Sequence, residues 1–314
     1  MPNNPFLKLF LIISFFVSII FFVPFIGSLF LLILPAVLFF NSVFRGTNKT
    51  AVAFLAAFSL FLFLAVLLRL DVPAVSVFTV GIAGLFIAQA TTRNVSIEKT
   101  IIYPALFIIA AISFYFFYEG FIFAMNPWQL VKKYIATLIS ENVKLYSQLP
   151  LKSEDINFIK DNEKNIVQGF TQIFPSLVII SATSCIWMNF LLGKKYLAKA
   201  GIIFPGFNAL ERWKSPDFVI WIFILSGALI FIPYNHLDFF GFNVFLITCF
   251  IYLLQGLAIV SFFFQSKNVP HFFRYLFYFL IAVQQILMIA IAIVGLLDIW
   301  INFRKYFQKD QTTA

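Results

Sequence analysis

The side chains that most often catalyse reactions or bind metal ions are scarce in this sequence and widely separated. The chain has two cysteines and two histidines, which are Cys185, Cys249, His236 and His271. A metal site needs several such ligands at close spacing, and hydrolases and ATPases carry short recognisable motifs. No HExxH, GxSxG or P-loop sequence is present. We therefore expect no catalytic residues, no metal site and no cofactor, and we do not expect an enzyme.

The polar residues inside the apolar stretches are mainly amides. An amide in such a stretch can hydrogen-bond a neighbouring helix, which contributes about 0.6–2 kcal/mol, or it can line a cavity for a polar solute. Gln284 and Asp298 are 14 residues apart, about four helical turns, so they share a helix face. The candidate solute-binding residues are Asn243, Gln255, Gln284, Gln285 and Asp298. Hydrogen bonding between helices is the commoner role for any one of these amides.

Two further features are candidate docking sites for a partner. Ala53 and Ala57 lie one turn apart and form a narrow face on which another helix can pack closely. The loop 193–217 is rich in basic residues, among them Lys194, Lys195 and Arg212. Both features also have a commoner role, because small residues pack helices within one chain and basic residues anchor loops beside the membrane.

The composition defines the class of protein that holds these residues. Hydrophobic residues make up 62% of the 314 positions and charged residues 11%, against about 25% charged residues in soluble domains. A soluble surface would need more charge, so soluble enzymes and secreted scaffolds are excluded. The net charge of +9 comes from basic residues at the ends of apolar runs. We therefore expect the lipid bilayer as the partner, and no nucleic acid.

Uncharged runs of 19 or more residues predict the membrane segments. The runs are 9–44, 50–68, 72–92, 100–118, 165–193, 218–237, 239–266 and 275–297. A helix needs about 20 residues to cross the hydrocarbon layer, so the first run is long enough for two segments separated near Pro24 and Gly27. The sequence predicts an all-α, polytopic transmembrane helix bundle of about nine segments, with eight as the alternative.

A charged region interrupts this pattern at 119–165. Asn126 can cap a helix that begins with Pro127. Apolar residues then recur at helical spacing, at Val131, Ile135, Leu138 and Leu145. This pattern predicts an amphipathic helix over 127–148, which lies on the membrane or packs against the spans.

These segments predict the organisation and the orientation of the chain. Residues 1–118 would form five membrane segments, 119–165 an amphipathic insertion, and 166–314 the remaining segments and a short tail, all within one integrated membrane domain. In the nine-segment arrangement, 12 of the 22 basic residues fall on the side of the N-terminus and 10 on the opposite side. Six of those 10 are lysines of the long insertion, and without them the opposite side has 4 basic residues. We therefore expect a cytoplasmic N-terminus, in the inner membrane of a bacterium.

Three segments of the C-terminal half carry a family resemblance. They are Arg212–Pro216 at the entry to a span, Asn243 followed by Tyr252–Ala258, and the ending Gly295–Lys305. Over about 185–305 the chain resembles the YybS-like family of bacterial multi-pass membrane proteins, whose function is unknown. That family is similar in its core to the substrate-capture subunits of energy-coupling-factor vitamin transporters. The resemblance implies a six-segment capture bundle and a docking face, at Ala53 and Ala57, for a membrane coupling subunit.

Two functions follow as hypotheses. The first is a transport-related role, the capture or passage of a small polar solute, and it predicts a cavity at Asn243, Gln255 or Gln284. If neighbouring helices satisfy all of these amides, the first hypothesis loses that support. The second is a non-catalytic scaffold that assembles with another membrane protein. We also expect Asp298 to cap a helix or to pair with Arg304 or a neighbouring loop.

Overall fold

The described part of the protein is built from α-helices and short connections, with no strand. The computed structural model describes residues 4–148, 158–202, 210–232 and 237–309. The helices are α1 (Pro5–Phe22), α2 (Pro24–Arg45), α3 (Thr47–Leu67), α4 (Ala74–Thr92), α5 (Ile97–Ile122), α6 (Pro127–Tyr146), α7 (Glu163–Lys199), α8 (Val219–Ile230), α9 (Leu237–Ser266), α10 (His271–Val283), α11 (Gln285–Ile301) and α12 (Phe303–Lys309), with a 3-10 turn at Leu210–Arg212. The all-α prediction is confirmed. Residues 149–157 of the insertion, 203–209 of the basic loop and His236 lie outside the described residues.

The helices end where the sequence interrupts its apolar runs. Val23 separates α1 from α2, and Pro24 begins α2, where its missing N–H costs no intrahelical hydrogen bond. The predicted break in the first run is therefore confirmed. Gly27 lets the two helices approach closely, because a Cβ there would lie 2.8 Å from the Ile20 Cα. Gly46 ends α2 with a φ of 92°, a conformation that glycine adopts without strain.

Among the described residues, fewer helices are long enough to span a membrane than the nine segments predicted. Seven described helices are long and apolar enough to cross a membrane, namely α1, α2, α3, α4, α5, α7 and α9. The count rises to eight if α10 and α11, which meet at an angle of 104°, form one broken span. The run 218–237 yields only the 12-residue helix α8, about 18 Å long against roughly 30 Å of hydrocarbon. The eight-segment alternative equals the upper count among the described helices, and the nine predicted segments exceed that count.

The chain forms two compact units. Unit 1 comprises Met1–Val131 and Ser181–Phe207, and unit 2 comprises Lys132–Ile180 and Asn208–Ala314. Unit 1 therefore contains α1 to α5 and the C-terminal half of α7. Its core is apolar and includes Ile13 of α1, Leu34 of α2 and Phe54 of α3. Unit 2 contains the N-terminal half of α7 and the helices α8 to α12.

The predicted amphipathic helix is present as α6. Asn126 caps it, since its Oδ1 accepts a hydrogen bond of 2.8 Å from the Trp128 N–H. Val131 and Ile135 are buried as expected, whereas Leu138 and Leu145 are exposed. At about 100° per residue both leucines lie within about 40° of Val131 around the helix axis, so this face is buried over only part of its length. Val143 is buried as well. The apolar face is thus partly covered and partly at the surface.

Candidate functional site

The Asn243 side chain of α9 hydrogen-bonds the backbone groups of α7 that Pro175 leaves unpaired. Pro175 lies inside α7 and cannot donate a backbone hydrogen bond. The Asn243 Oδ1 accepts from the Ser176 N–H at 2.8 Å, and its Nδ2 donates to the Gln172 carbonyl at 2.8 Å. An unbroken helix would pair that N–H and that carbonyl with each other. The Asn243 side chain also donates to the Phe239 carbonyl, four residues earlier in its own helix, at 2.8 Å.

Asn189 of α7 makes the same arrangement within unit 1. Pro35 lies inside α2. The Asn189 Oδ1 accepts from the Ala36 N–H at 2.9 Å, and its Nδ2 donates to the Leu32 carbonyl at 2.8 Å. The same Nδ2 donates to the Cys185 carbonyl, four residues earlier, at 2.8 Å. We call these two arrangements the α2 joint (Leu32, Pro35, Ala36, Asn189) and the α7 joint (Gln172, Pro175, Ser176, Asn243).

Gln255 and Asp298 meet in a buried polar network of unit 2. The Gln255 Oε1 accepts from the Ser215 hydroxyl at 2.6 Å and from the Ser215 N–H at 3.1 Å. Its Nε2 donates to the Asp298 Oδ2 at 3.2 Å. The same Oδ2 accepts from the Arg304 Nη1 at 2.6 Å, in an ion pair whose side chains are 1% and 12% exposed. The Asp298 Oδ1 accepts from the Phe303 N–H at 3.0 Å, which caps the start of α12.

This network fixes the backbone of the segment before α8. The Arg304 Nε donates to the Glu211 carbonyl at 3.1 Å, and its Nη2 donates to the Trp213 carbonyl at 2.8 Å. Together with the two bonds from Ser215 to Gln255, four hydrogen bonds hold the segment 211–215. The expected pairing of Asp298 with Arg304 is confirmed. We call the set Ser215, Gln255, Asp298 and Arg304 the loop anchor.

Close helix packing positions the loop anchor. A Cβ added to Gly295 of α11 would collide with the Tyr252 carbonyl of α9, and one added to Gly256 would collide with the Ile291 carbonyl. The two glycines therefore let the backbones of α9 and α11 touch, beside Gln255 and Asp298.

The five candidate solute-binding residues do not converge on one site. Asn243 belongs to the α7 joint, and Gln255 and Asp298 belong to the loop anchor. Gln284 and Gln285 are exposed at the bend between α10 and α11. Hydrogen bonds within the chain satisfy the buried amides at Asn243 and Gln255, so the support that a cavity at these residues would have given to solute capture is absent.

The candidate docking residues have different exposures. Ala53 and Ala57 are fully buried in the core of unit 1, so they form no part of the surface of this chain. Lys195 and Arg212 are exposed, and Lys194 is half-buried. Packing within the chain therefore accounts for the two alanines, whereas Lys195 and Arg212 are accessible to a partner.

Unit 1 contains an open pocket that the sequence analysis did not anticipate. Its volume is about 620 Å³. The polar part comes from the turn between α2 and α3 and from the end of α4, and the apolar part comes from one side of α4. The lining residues are Arg45, Gly46, Thr47, Asn48, Lys49, Ile82, Leu85, Phe86 and Gln89. The sequence signal was the short polar link Arg45–Lys49 between two apolar runs, but only the fold brings Gln89 beside it.

The helices and their lengths define the class of this chain, which is a multi-pass α-helical membrane protein. A family model described as "Predicted membrane protein (DUF2232)" matches residues 11–299, which is most of the chain, and the chain belongs to that family. The family description names no activity, and neither the YybS-like name nor a similarity to energy-coupling-factor subunits is part of it. Comparisons with curated proteins and with solved structures gave no match.

Proposed function

We propose that this chain is a transport-related membrane protein that captures a small polar solute in the pocket between Arg45 and Gln89. The pocket itself carries the proposal. Among the described residues, the side chains of Thr47, Asn48, Lys49 and Gln89 have no hydrogen-bond or ion-pair partner. A hydroxyl, two amides and an ammonium group are thus available to a ligand in one pocket. The buried amides elsewhere are already hydrogen-bonded by the chain.

The composition of unit 1 supports this proposal. Five whole helices and the C-terminal half of α7 pack into one compact unit. A unit of six helical segments is what the resemblance to substrate-capture subunits implies for the first part of the chain. The pocket lies within this unit.

The mouth of the pocket lies at the same end of unit 1 as the start of α1. The Arg45 Nη1 donates to the Pro5 carbonyl at 2.8 Å, which places the α2–α3 turn beside the N-terminal end of α1. This end of unit 1 also carries the basic residues Lys8, Arg93 and Lys99. The turn between α3 and α4, at the other end of these helices, carries Arg69 together with Asp71. By the positive-inside rule we propose that this end faces the cytoplasm of a bacterial cell. A solute then enters the pocket from the cytoplasmic side.

A binding screen on the full-length protein tests the proposal. The purified chain is unfolded thermally in an uncharged detergent with neutral sugars, amino acids, polyamines, organic phosphates and short-chain anionic amphiphiles in turn. We expect one of these classes to raise the Tm of the wild type and of the control variant Lys99→Gln, and to have a smaller effect on Lys49→Gln. Lys99 is exposed, in the first turn of α5, and does not line the pocket. A screen in which no class discriminates between the two lysine variants contradicts solute capture.

The loop anchor favours a second function, that of a non-catalytic membrane scaffold. Four hydrogen bonds fix the backbone on either side of Arg212, and the Arg212 side chain is exposed. A fixed, exposed cation is a suitable contact for an acidic surface on a partner membrane protein such as a coupling subunit. Affinity purification in mild detergent, comparing wild type with Arg212→Ala and with Lys194/Lys195/Lys199→Ala, tests this function. A partner retained equally by all three proteins, or no partner at all, argues against it.

A further inference from the structure

We propose that the ligand of the pocket is an anionic amphiphile, a molecule that joins a phosphate or carboxylate group to an apolar chain. This inference rests on the proposed capture function and narrows the captured molecule to one whose polar group is an anion joined to a short apolar chain. Three observations carry it: the charge of the lining, the apolar side of α4, and the level of the mouth.

The charge of the lining selects an anion. Arg45 and Lys49 are both in the lining, and no carboxylate is. One guanidinium nitrogen of Arg45 is held by the Pro5 carbonyl at 2.8 Å, so its other N–H donors remain for a ligand. The Lys49 ammonium has no partner in the described part of the chain. Phosphate and carboxylate oxygens accept the short charge-assisted hydrogen bonds that these two side chains donate.

The apolar part of the lining fits a hydrocarbon chain. Ile82, Leu85 and Phe86 lie along one side of α4 below the polar mouth. The ring of Phe86 packs edge-on against Phe107 of α5, with centroids 5.1 Å apart, so a neighbouring helix supports this wall. Leu85 is already buried, whereas Ile82 is half-buried and Phe86 is exposed. An inorganic anion would leave Ile82 and Phe86 uncovered, whereas the chain of an amphiphile would bury them.

The mouth of the pocket lies at the depth of the bilayer headgroups, where an anionic amphiphile places its charged group. Arg45 is the last residue of α2 and Thr47 the first residue of α3, so the polar lining sits where two apolar helices end. Helix ends of this kind lie in the headgroup region of a bilayer. An anionic lipid of that leaflet and a free organic phosphate share the chemistry that the pocket recognises, and the experiment separates these two sources.

The experiment measures binding to the full-length protein in dodecyl maltoside by thermal unfolding. Four probes are titrated: dioctanoyl phosphatidylglycerol, dioctanoyl phosphatidylcholine, glycerol 3-phosphate and inorganic phosphate. We expect phosphatidylglycerol to raise the Tm at the lowest concentration. Its apparent affinity should fall about tenfold in Lys49→Gln, as for the loss of one charge-assisted hydrogen bond, and stay unchanged in Lys99→Gln.

The outcomes separate the ligand class from the capture function. Glycerol 3-phosphate as effective as phosphatidylglycerol overturns the amphiphile and leaves solute capture standing. A neutral or cationic solute that depends on Lys49, with no effect of phosphatidylglycerol, does the same. Equal effects of phosphatidylglycerol on both lysine variants identify it as general lipid around the helices and overturn the inference. If no probe and no solute depends on Lys49, the inference and the capture function fail together.

Discussion

In both the α2 joint and the α7 joint, an asparagine makes the same three hydrogen bonds beside a proline inside a helix. The two joints differ in their surroundings. The α2 joint is enclosed by apolar groups: Gly84 of α4 approaches Pro35 so closely that a Cβ there would lie 2.7 Å from the Pro35 Cα, and Phe39 stacks on Phe190 nearby. The α7 joint continues into polar groups. The Ser176 hydroxyl donates to the Ile173 carbonyl at 2.7 Å, and the Gln172 Nε2 donates to the Asp238 Oδ2 at 3.4 Å.

The comparison shows what a buried asparagine does in these helices. In both joints the amide replaces the hydrogen bond that proline disrupts, since a backbone group left unsatisfied in hydrocarbon costs several kcal/mol. The proline on the opposite helix therefore accounts for the asparagine without a ligand. The difference in surroundings predicts that the two joints tolerate loss of the amide unequally.

The largest effect in unit 2 should fall at the loop anchor and not at the α7 joint. Asp298→Leu leaves the Arg304 guanidinium, 12% exposed, without its carboxylate partner. Removal of one partner from a buried ion pair costs about 3–5 kcal/mol. We expect this loss in the free energy of unfolding, measured by denaturant titration in detergent micelles.

Two controls separate burial from charge in that measurement. Asp217 pairs with Lys214 at an Oδ1–Nζ distance of 3.2 Å, and its side chain is 83% exposed. Asp217→Leu breaks this exposed ion pair and should lower the free energy of unfolding far less than Asp298→Leu. The double variant Asp298→Leu/Arg304→Met removes both charges and should recover part of the loss. A loss at Asp298 as small as that at Asp217 would contradict the anchor.

Loss of the amide at the α2 joint is expected to be the next largest effect. Asn189→Leu leaves the Ala36 N–H and the Leu32 carbonyl without their partner in an apolar core. Each buried unsatisfied group costs about 1–3 kcal/mol, and values in the lower half of that range for the two groups give an expected total of about 2–4 kcal/mol in the same titration. Asn142→Leu is the matched control, because Asn142 is an exposed asparagine whose Nδ2 donates only to Leu138, four residues earlier. Similar losses in the two variants would argue against a bridging role for Asn189.

The helices were predictable because their limits are local. The run 50–68 corresponds to α3 at Thr47–Leu67, and the run 72–92 to α4 at Ala74–Thr92. The run 218–237 was less predictable, since only the 12-residue helix α8 forms in the part of it that the structure describes. A count of charges gives the limits of an apolar run but not the length of the helix within it.

The sites were less predictable because they join distant parts of the chain. Asp298 and Arg304 are six residues apart, and their pairing followed from opposite charge at the end of an apolar run. The hydrogen bonds from Arg304 to the Glu211 and Trp213 carbonyls cross about 90 residues, and no local pattern indicates them. The roles of Asn189 and Asn243 depend on which proline lies opposite each amide, which only the packing of the helices decides.

A smaller effect is expected at the α7 joint than at the α2 joint. Asn243→Leu leaves the Ser176 N–H and the Gln172 carbonyl without the amide. Gln172 is half-buried and has polar neighbours, so part of the loss can be recovered by other hydrogen bonds. We expect about 1–3 kcal/mol, and less than for Asn189→Leu under identical conditions. A larger loss at Asn243 would reverse the comparison between the two joints.

The smallest effect tests whether proline is the cause of each joint. In the Asn189→Leu background, Pro35→Ala allows the Ala36 N–H and the Leu32 carbonyl to pair with each other as in a regular helix. We expect this second substitution to restore about 1 kcal/mol, a coupling energy of the size found for residues in contact. Pro104→Ala in the same background is the control, since Pro104 lies inside α5 and no described asparagine bridges its turn. If only Pro35→Ala recovers stability, the Asn189 amide is needed because of Pro35. If Pro35→Ala and Pro104→Ala recover stability equally, the increase comes from the higher helix propensity of alanine.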